Sequence, residues 1–212
     1  LTKLLHSTLK TIMTVKTTTK KKTAKPRTVK VTKIPDLPRN PFAFEVLDAA
    51  SKQRTKAKKV EVLQKYGDMS LKMILKWNFD TSITSVLPEG EVPYNDFDEQ
   101  NNSVVTLSGK ITDEVRRMHE TGSFSLGSSD RQGHTTIRRE ARNFYRFVRG
   151  GDDAMNQVRR ETMFINILTG LHPLEAEILV LVKDSNLGDA YKITRDVVEQ
   201  AFPDIIWGDV NG

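Results

Sequence analysis

Arg138, Arg142, Arg146 and Arg149 recur at intervals of four, four and three residues. On an α-helix, at 100° per residue, they fall within about 80° of one another and form a line of guanidinium groups about 16 Å long. Arg139 stands beside this line and Tyr145 borders its other edge. Guanidinium forks grip phosphate oxygens bidentately, and a tyrosine ring can stack on a base or sugar. The chemistry suggested is recognition of a phosphate backbone. The competing reading is a solvated face whose arginines pair with acids elsewhere, such as the Asp96–Glu99 segment. Glu140 is the only acid between Thr136 and Arg149, so the segment does not neutralise itself. Arg159-Arg160-Glu161 repeats the Arg138-Arg139-Glu140 triplet, and Arg159 is a further candidate for phosphate contact.

Residues able to do covalent or acid–base chemistry are not grouped. The sequence has no P-loop, no Gly-x-Ser-x-Gly and no His-Glu-x-x-His. His6, His119, His134 and His172 are scattered without metal-ligand spacing, and there is no cysteine. Glu175 and Glu177 lie two apart and diverge on a helix, so they make no general acid/base pair. Gly150-Gly151 could offer backbone N–H groups to an anion, but Asp152-Asp153 follow and read as caps of the next helix. The reading is a non-enzymatic protein with no cofactor and no metal.

Helical spacing dominates the elements that must carry these residues. Asn40-Pro41 reads as the start of a helix to about Ser51, with Phe42, Val46, Leu47 and Ala50 on one face. Thr55 caps a second helix ended by Gly67, and Asp68 or Ser70 caps a third carrying Leu71, Ile74, Leu75 and Trp77. Residues 80–94 read as an ordered loop, with apolar side chains of Leu87–Tyr94 exposed. Residues 95–133 read as a mobile insertion with a short helix from Thr112 to Glu120 and a weak strand signal at Val104–Leu107. Further helices are expected at Thr136–Arg149, Asp153–Thr169, Pro173–Asp184 and Thr194–Ala201, with Ile137, Ala141, Phe144 and Val148 forming the buried seam of the first. The fold class is mainly α: a compact domain of six to eight helices over residues 40–212, behind a basic tail.

That tail holds much of the charge. The chain carries 33 Lys+Arg against 27 Asp+Glu, a net +6. Residues 1–39 contain eleven of the basic residues and one acid, Asp36, for a net +10. The remainder has 22 basic residues against 26 acids, a net −4. Residues 13–39, with Lys20-Lys21-Lys22 and Pro26, Pro35 and Pro38, lack the apolar content to offset ordering and read as disordered. A basic tail of this kind suits a polyanionic partner. Leu1 is not an initiator and Met13 opens a Met-Thr-Val-Lys start, so residues 1–12 read either as upstream sequence or as a fragment of something longer. Their excess of lysine over arginine argues against an organelle leader. No apolar run approaches the roughly 18 residues of a membrane-spanning helix.

Two blocks carry a resemblance. The first is Phe44-Glu-Val-Leu-Asp-Ala-Ala50, Lys56-Ala-Lys-Lys-Val-Glu-Val-Leu-Gln-Lys-Tyr66 and Leu71-Lys-Met-Ile-Leu75. The second is Phe147-Val-Arg-Gly-Gly151, Leu171-His-Pro-Leu-Glu-Ala-Glu-Ile-Leu179, Val182-Lys-Asp184, Leu187-Gly188 and Ala201-Phe-Pro-Asp-Ile-Ile206. Their order remotely resembles the N-terminal helical DNA-binding domain of ATP-dependent DNA ligases. Trp77-Asn-Phe-Asp80, Leu87-Pro-Glu-Gly-Glu-Val-Pro-Tyr94, Arg159-Arg-Glu-Thr-Met-Phe-Ile165 and Ile206-Trp-Gly208 resemble an uncharacterised protein family of T4-like cyanophages over roughly residues 42–208. The ligase likeness implies a curved helical module holding duplex DNA by its backbone. The nucleotidyl-accepting Lys-x-Asp-Gly motif is absent, so ligation is not implied.

The expectation is a phage accessory protein, present in the host cytoplasm during infection or in the virion. It would bind nucleic acid, with DNA favoured, and could also contact other phage proteins. The contacts expected are Arg138, Arg139, Arg142, Tyr145, Arg146, Arg149 and Arg159, with Lys20, Lys21 and Lys22 adding non-specific attraction. A virion structural or protein-docking module is the alternative.

Overall fold

Six side chains cap the helices that follow them. Thr55, Asp68, Thr106, Thr136, Asn156 and His172 accept the backbone N–H of Lys58, Leu71, Gly109, Arg139, Arg159 and Leu174, respectively. Each bond satisfies a donor that the first helical turn cannot pair internally. The computed structural model describes residues 34–92, 96–98, 103–122 and 133–208. Over these residues the protein is mainly helical, with nine α-helices and one 3₁₀ segment. The helices are α1 (Ala43–Ser51), α2 (Lys56–Tyr66), α3 (Met69–Phe79), α4 (Leu107–Thr121), α5 (Ile137–Glu140), α6 (Gln157–Gly170), α7 (Pro173–Lys183), α8 (Leu187–Tyr191) and α9 (Arg195–Ala201). The 3₁₀ segment, Ala141–Phe147, follows α5 directly. Two short strands, β1 (Asp96–Asp98) and β2 (Ser103–Val105), pair antiparallel with Phe97 opposite Val104.

Helix α7 is the axis. Leu174, Ala176, Ile178, Leu179 and Val182 are all buried, and so are the charged Glu175 and Lys183. A helix hydrophobic on most sides must be surrounded. Helices α1, α3, α4, α6 and α8 pack against it, while α2 packs on α1 and α9. Lys183 is tolerated inside because its Nζ donates to the carbonyls of Pro88 (2.7 Å) and Gly90 (3.0 Å) and pairs with Asp184 (2.6 Å). These bonds tie the loop after α3 to the core, where Leu87 and Val92 are buried. Of the apolar edge expected to be exposed there, Leu87 and Val92 are instead turned into the core and Pro88 is exposed; Pro93 and Tyr94 lie outside the described residues.

Several boundaries differ from the expected ones. Helix α1 begins at Ala43, not Pro41, because Glu45 Oε2 accepts the Phe42 N–H (2.8 Å) and fixes the start there. Order extends back to Ile34 rather than beginning at Asn40. The Tyr66 hydroxyl donates to the Pro35 carbonyl (3.0 Å) and accepts the Leu37 N–H (3.1 Å), and Ile34 and Leu37 pack on the core. The segment read as an insertion contains α4, four turns long, with Leu107, Ile111, Val115 and Met118 buried against α7. Four buried apolar side chains, each contributing about 1.5–3 kcal/mol, make α4 part of the core rather than an addition to it. Gly67 does end α2, but its backbone is not left-handed. A Cβ there would stand 2.4 Å from both the Leu63 carbonyl and the Phe202 ring, so close packing requires the glycine. The short helix α8 was not anticipated, and its Gly188 sits inside it, closely faced by the Phe79 ring.

Candidate nucleic-acid interface

The arginine segment takes a different shape from the one its spacing suggests. Only Ile137–Glu140 is α-helical; Ala141–Phe147 is a 3₁₀ helix, and Val148 is extended and bridged to Ser85. The cause is the core. Ala141, Phe144 and Phe147 are buried at three-residue intervals, the 3₁₀ period, whereas Val148 is only partly buried. Phe147 stacks on Trp77 (5.2 Å is its edge contact to Phe164; 6.3 Å to Trp77), so the aromatic cluster holds this period in place. Arg138, Arg142, Arg146 and Arg149 therefore do not form one α-helical line. Side chains three apart eclipse on a 3₁₀ helix, which aligns Arg142 with Tyr145 and leaves Arg146 on another face.

Two of the four expected arginines serve the fold. Arg138 Nε meets Asp68 Oδ2 at 2.5 Å and its Nη2 donates to the Pro41 carbonyl (3.2 Å). Burial alone would raise the Asp68 carboxyl. Bonds from the Ser70 hydroxyl, the Leu71 N–H and Arg138 outweigh it and hold Asp68 below its ordinary range. Arg146 lies 3.6 Å from Asp152, and its Nε donates to the Tyr145 hydroxyl (2.9 Å) while its guanidinium sits over the Tyr145 ring. Arg139 is exposed, with one long bond to the His134 carbonyl (3.5 Å). Arg142, Arg149 and Arg159 are exposed and make no side-chain hydrogen bond or ion pair among the described residues. Glu140, the one internal acid, is engaged by Thr135 Oγ1 (2.6 Å) and Asn143 Nδ2 (2.9 Å).

Arg160, the neighbour of Arg159, is buried. Its guanidinium donates to the carbonyls of Arg146, Asp152 (2.8 Å) and Met155 (3.0 Å). It thus pins the end of the 3₁₀ segment and the following turn to α6. In that turn Gly150 takes φ +79°, and a Cβ on Gly151 would collide with the Tyr145 carbonyl. Asp153 accepts the Gly150 N–H (3.2 Å), and Asn156 rather than either aspartate caps α6. Beside this turn, α6 and Arg146 enclose an open groove of about 770 Å³, with Arg146, Arg159 and the engaged Glu140 on its walls and Met155, Val158, Met163 and Ile167 among its lining. Lys20, Lys21 and Lys22 lie outside the described residues.

A second polar site was missed by sequence reasoning. Glu175 is buried, and its carboxylate accepts the N–H of Ile137 (3.0 Å) and of Ala43 (3.3 Å), the first residues of α5 and α1. Burial pushes its carboxyl up to about 7, against the opposing pull of these two N–H bonds and of Arg138. A cavity of about 170 Å³ adjoins it, also lined by Asp68 and Arg138. The available signal was position: Glu175 is the third residue of a helix capped by His172, where a glutamate usually reaches back to its own cap. Here it reaches out to two other helices. Among the described residues, no group of His, Asp or Glu is arranged to hold a metal ion, and no helix is long and apolar enough to cross a membrane.

A family model described as a family of unknown function (DUF6433) matches residues 46–131 and 127–189. The chain belongs to that family. The matched span includes the buried face of α7, the 3₁₀ segment and the groove-lining part of α6. No curated protein and no solved structure matches the chain.

Proposed function

We propose that the protein is a non-enzymatic nucleic-acid-binding accessory protein of a tailed phage, acting in the host cytoplasm during infection. Arg139, Arg142, Arg149 and Arg159 would hold phosphate oxygens, Tyr145 and Arg146 would contact the adjoining sugar or base, and the lysine run at 20–22 would add non-specific attraction. The phage assignment rests on the resemblance of the Trp77–Asp80, Leu87–Tyr94, Arg159–Ile165 and Ile206–Gly208 motifs to T4-like cyanophage proteins. Arg138 adds little to these contacts, because Asp68 and the Pro41 carbonyl already use its donors.

One observation carries the reading: three exposed arginines without partners lie in a stretch, 133–161, that holds seven arginines against four acids. Unneutralised guanidinium groups at that density make a local field that favours a polyanion even where the rest of the domain is slightly acidic. Fluorescence anisotropy on labelled oligonucleotides across a salt series tests it. Affinity should fall steeply as salt rises, and replacing Arg142, Arg149 and Arg159 with Ala should flatten the slope by roughly two to three, at about 0.7–0.9 per phosphate contact. An affinity that ignores both salt and the triple substitution overturns the reading.

A further inference from the structure

We propose that the groove beside Arg146 and Arg159 takes unpaired bases, so that the ligand is a single strand rather than a duplex. This rests on the nucleic-acid reading above and narrows it. Three features of the groove and its edge are surplus to holding a phosphate backbone. Its lining includes Val158, which is 75% exposed, together with Met155 and Met163. Phosphate contact needs no apolar surface, whereas an unstacked base needs a surface on which to bury its faces. The folded core does not explain Val158 either, since Phe164, Ile167 and Leu168 supply the buried face of α6.

The second feature is Tyr145, which does not line the groove but is held by Arg146, which does. The ring is 44% exposed, and Arg146 donates to its hydroxyl at 2.9 Å and lies 5.4 Å from its centroid. Arg146 is itself held by Asp152 and contacts Met163 Sδ at 3.7 Å, on the groove side. An exposed ring fixed in advance loses little freedom on stacking. The third feature is charge placement. Arg159 stands on the groove wall without a partner, one turn of α6 before the exposed Thr162. A base lying on Val158 would leave its phosphate within the field of Arg159. The groove volume, about 770 Å³, lies in the range of clefts that enclose small organic ligands. A duplex keeps its bases stacked inside and could reach the arginines but not this surface.

The experiment compares oligothymidylate, oligouridylate and a blunt hairpin duplex of matched charge, each labelled, at one salt concentration, with the full chain. The single strands should bind at least about tenfold more tightly than the duplex. Tyr145→Ala and Val158→Glu should each weaken single-strand binding by about tenfold while leaving duplex binding nearly unchanged, and Tyr145→Phe should retain most of the affinity. Tighter binding of either single strand than of the duplex supports the proposal, and oligodeoxyuridylate, which shares its base with oligouridylate, assigns any preference between them to the sugar. Thermal melts that superimpose on the parent show that the two surface variants fold. Equal or tighter duplex binding, or single-strand binding indifferent to both variants, overturns the proposal while leaving the phosphate-binding reading intact. No binding of any of the three overturns both.

Discussion

Arg138 and Arg142 stand four residues apart in one segment and have opposite situations. Arg138 is turned to the junction where Asp68, Glu175 and the starts of α1 and α5 meet, and its donors are spent on Asp68 and Pro41. Arg142 lies on the 3₁₀ stretch, exposed and without a side-chain partner among the described residues. At the junction the charge is satisfied by fixed partners; on the 3₁₀ face it is turned outward and left open. The same residue type at helical spacing carries both. What separates them is whether the backbone aims the side chain at carboxylates fixed by the core. The comparison predicts that junction variants change stability and not binding, and that groove variants do the reverse.

The strongest break in that pattern should come from Arg160, a buried arginine bonded into the fold like Arg138 but standing behind the groove. Its guanidinium holds three carbonyls, including that of Arg146 at the end of the 3₁₀ segment. Arg160→Met keeps the bulk and removes the donor from all three, of which the Asp152 carbonyl alone keeps another, the Met155 N–H (3.3 Å). The expected loss is about 3 kcal/mol or more in denaturant unfolding. Because Arg146 and Asp152 lose their common anchor, oligonucleotide affinity should fall with it, measured under conditions where the variant remains folded. A full loss of stability with unchanged affinity would show that the groove does not depend on this anchor.

Glu175 sharpens the junction side. In the unfolded chain its carboxyl titrates near the ordinary 4.5; in the fold, burial raises it to about 7. The native state therefore holds the proton more tightly between these values, and stability falls as pH rises from about 4.5 to about 7, then levels off. At about 1.4 kcal/mol per pH unit the change attributable to Glu175 is about 3 kcal/mol. Glu177, also raised by burial, adds to the same trend, while Asp68 and Asp80 are held low and act only in more acidic solution. Unfolding free energies measured at several pH values should slope downward over this window, and Glu175→Gln should flatten most of that slope. A slope that is unchanged in the variant would remove Glu175 from the account.

Much of the scaffold was legible, and the losses have physical causes. Thr55 and Asp68 capped the helices expected of them, and α7 and α9 lie within a residue of their expected bounds, because caps and apolar periodicity are local signals. Helix α4 extends beyond the expected Thr112–Glu120; its polar and glycine-rich flanks mask its reach, although Leu107, Ile111, Val115 and Met118 recur at the helical intervals of four, four and three. At Thr136–Arg149 two periods fit the same letters. Taking Val148 as the last buried residue gives an α-helix; taking Phe147 gives the 3₁₀ ridge, and only the aromatic contacts of Phe147 with Trp77 and Phe164 decide between them. The partners of Arg138 and Glu175 are set by contacts across 70 and 132 residues, beyond any local pattern. Asp80 shows the same limit: it accepts the Gly208 N–H (3.0 Å), joining two motifs that the sequence offered separately.

The smallest effect is the most direct test of the opening contrast, because it compares two single substitutions of one residue type. Arg138→Ala removes the partner of Asp68 but leaves the Asp68 cap of α3 in place through Ser70 and Leu71. Both side chains of that pair are partly solvated, at 45% and 31% exposure, so screening limits the loss to about 0.5–1 kcal/mol. Arg142→Ala breaks nothing within the fold and should leave stability within about 0.5 kcal/mol of the parent. In binding the order reverses. Arg142→Ala should lower the salt slope by about 0.7–0.9 and Arg138→Ala by nearly nothing. Equal binding losses would mean that Arg138 leaves Asp68 when ligand arrives. The paired and unpaired arginines would then act as one surface.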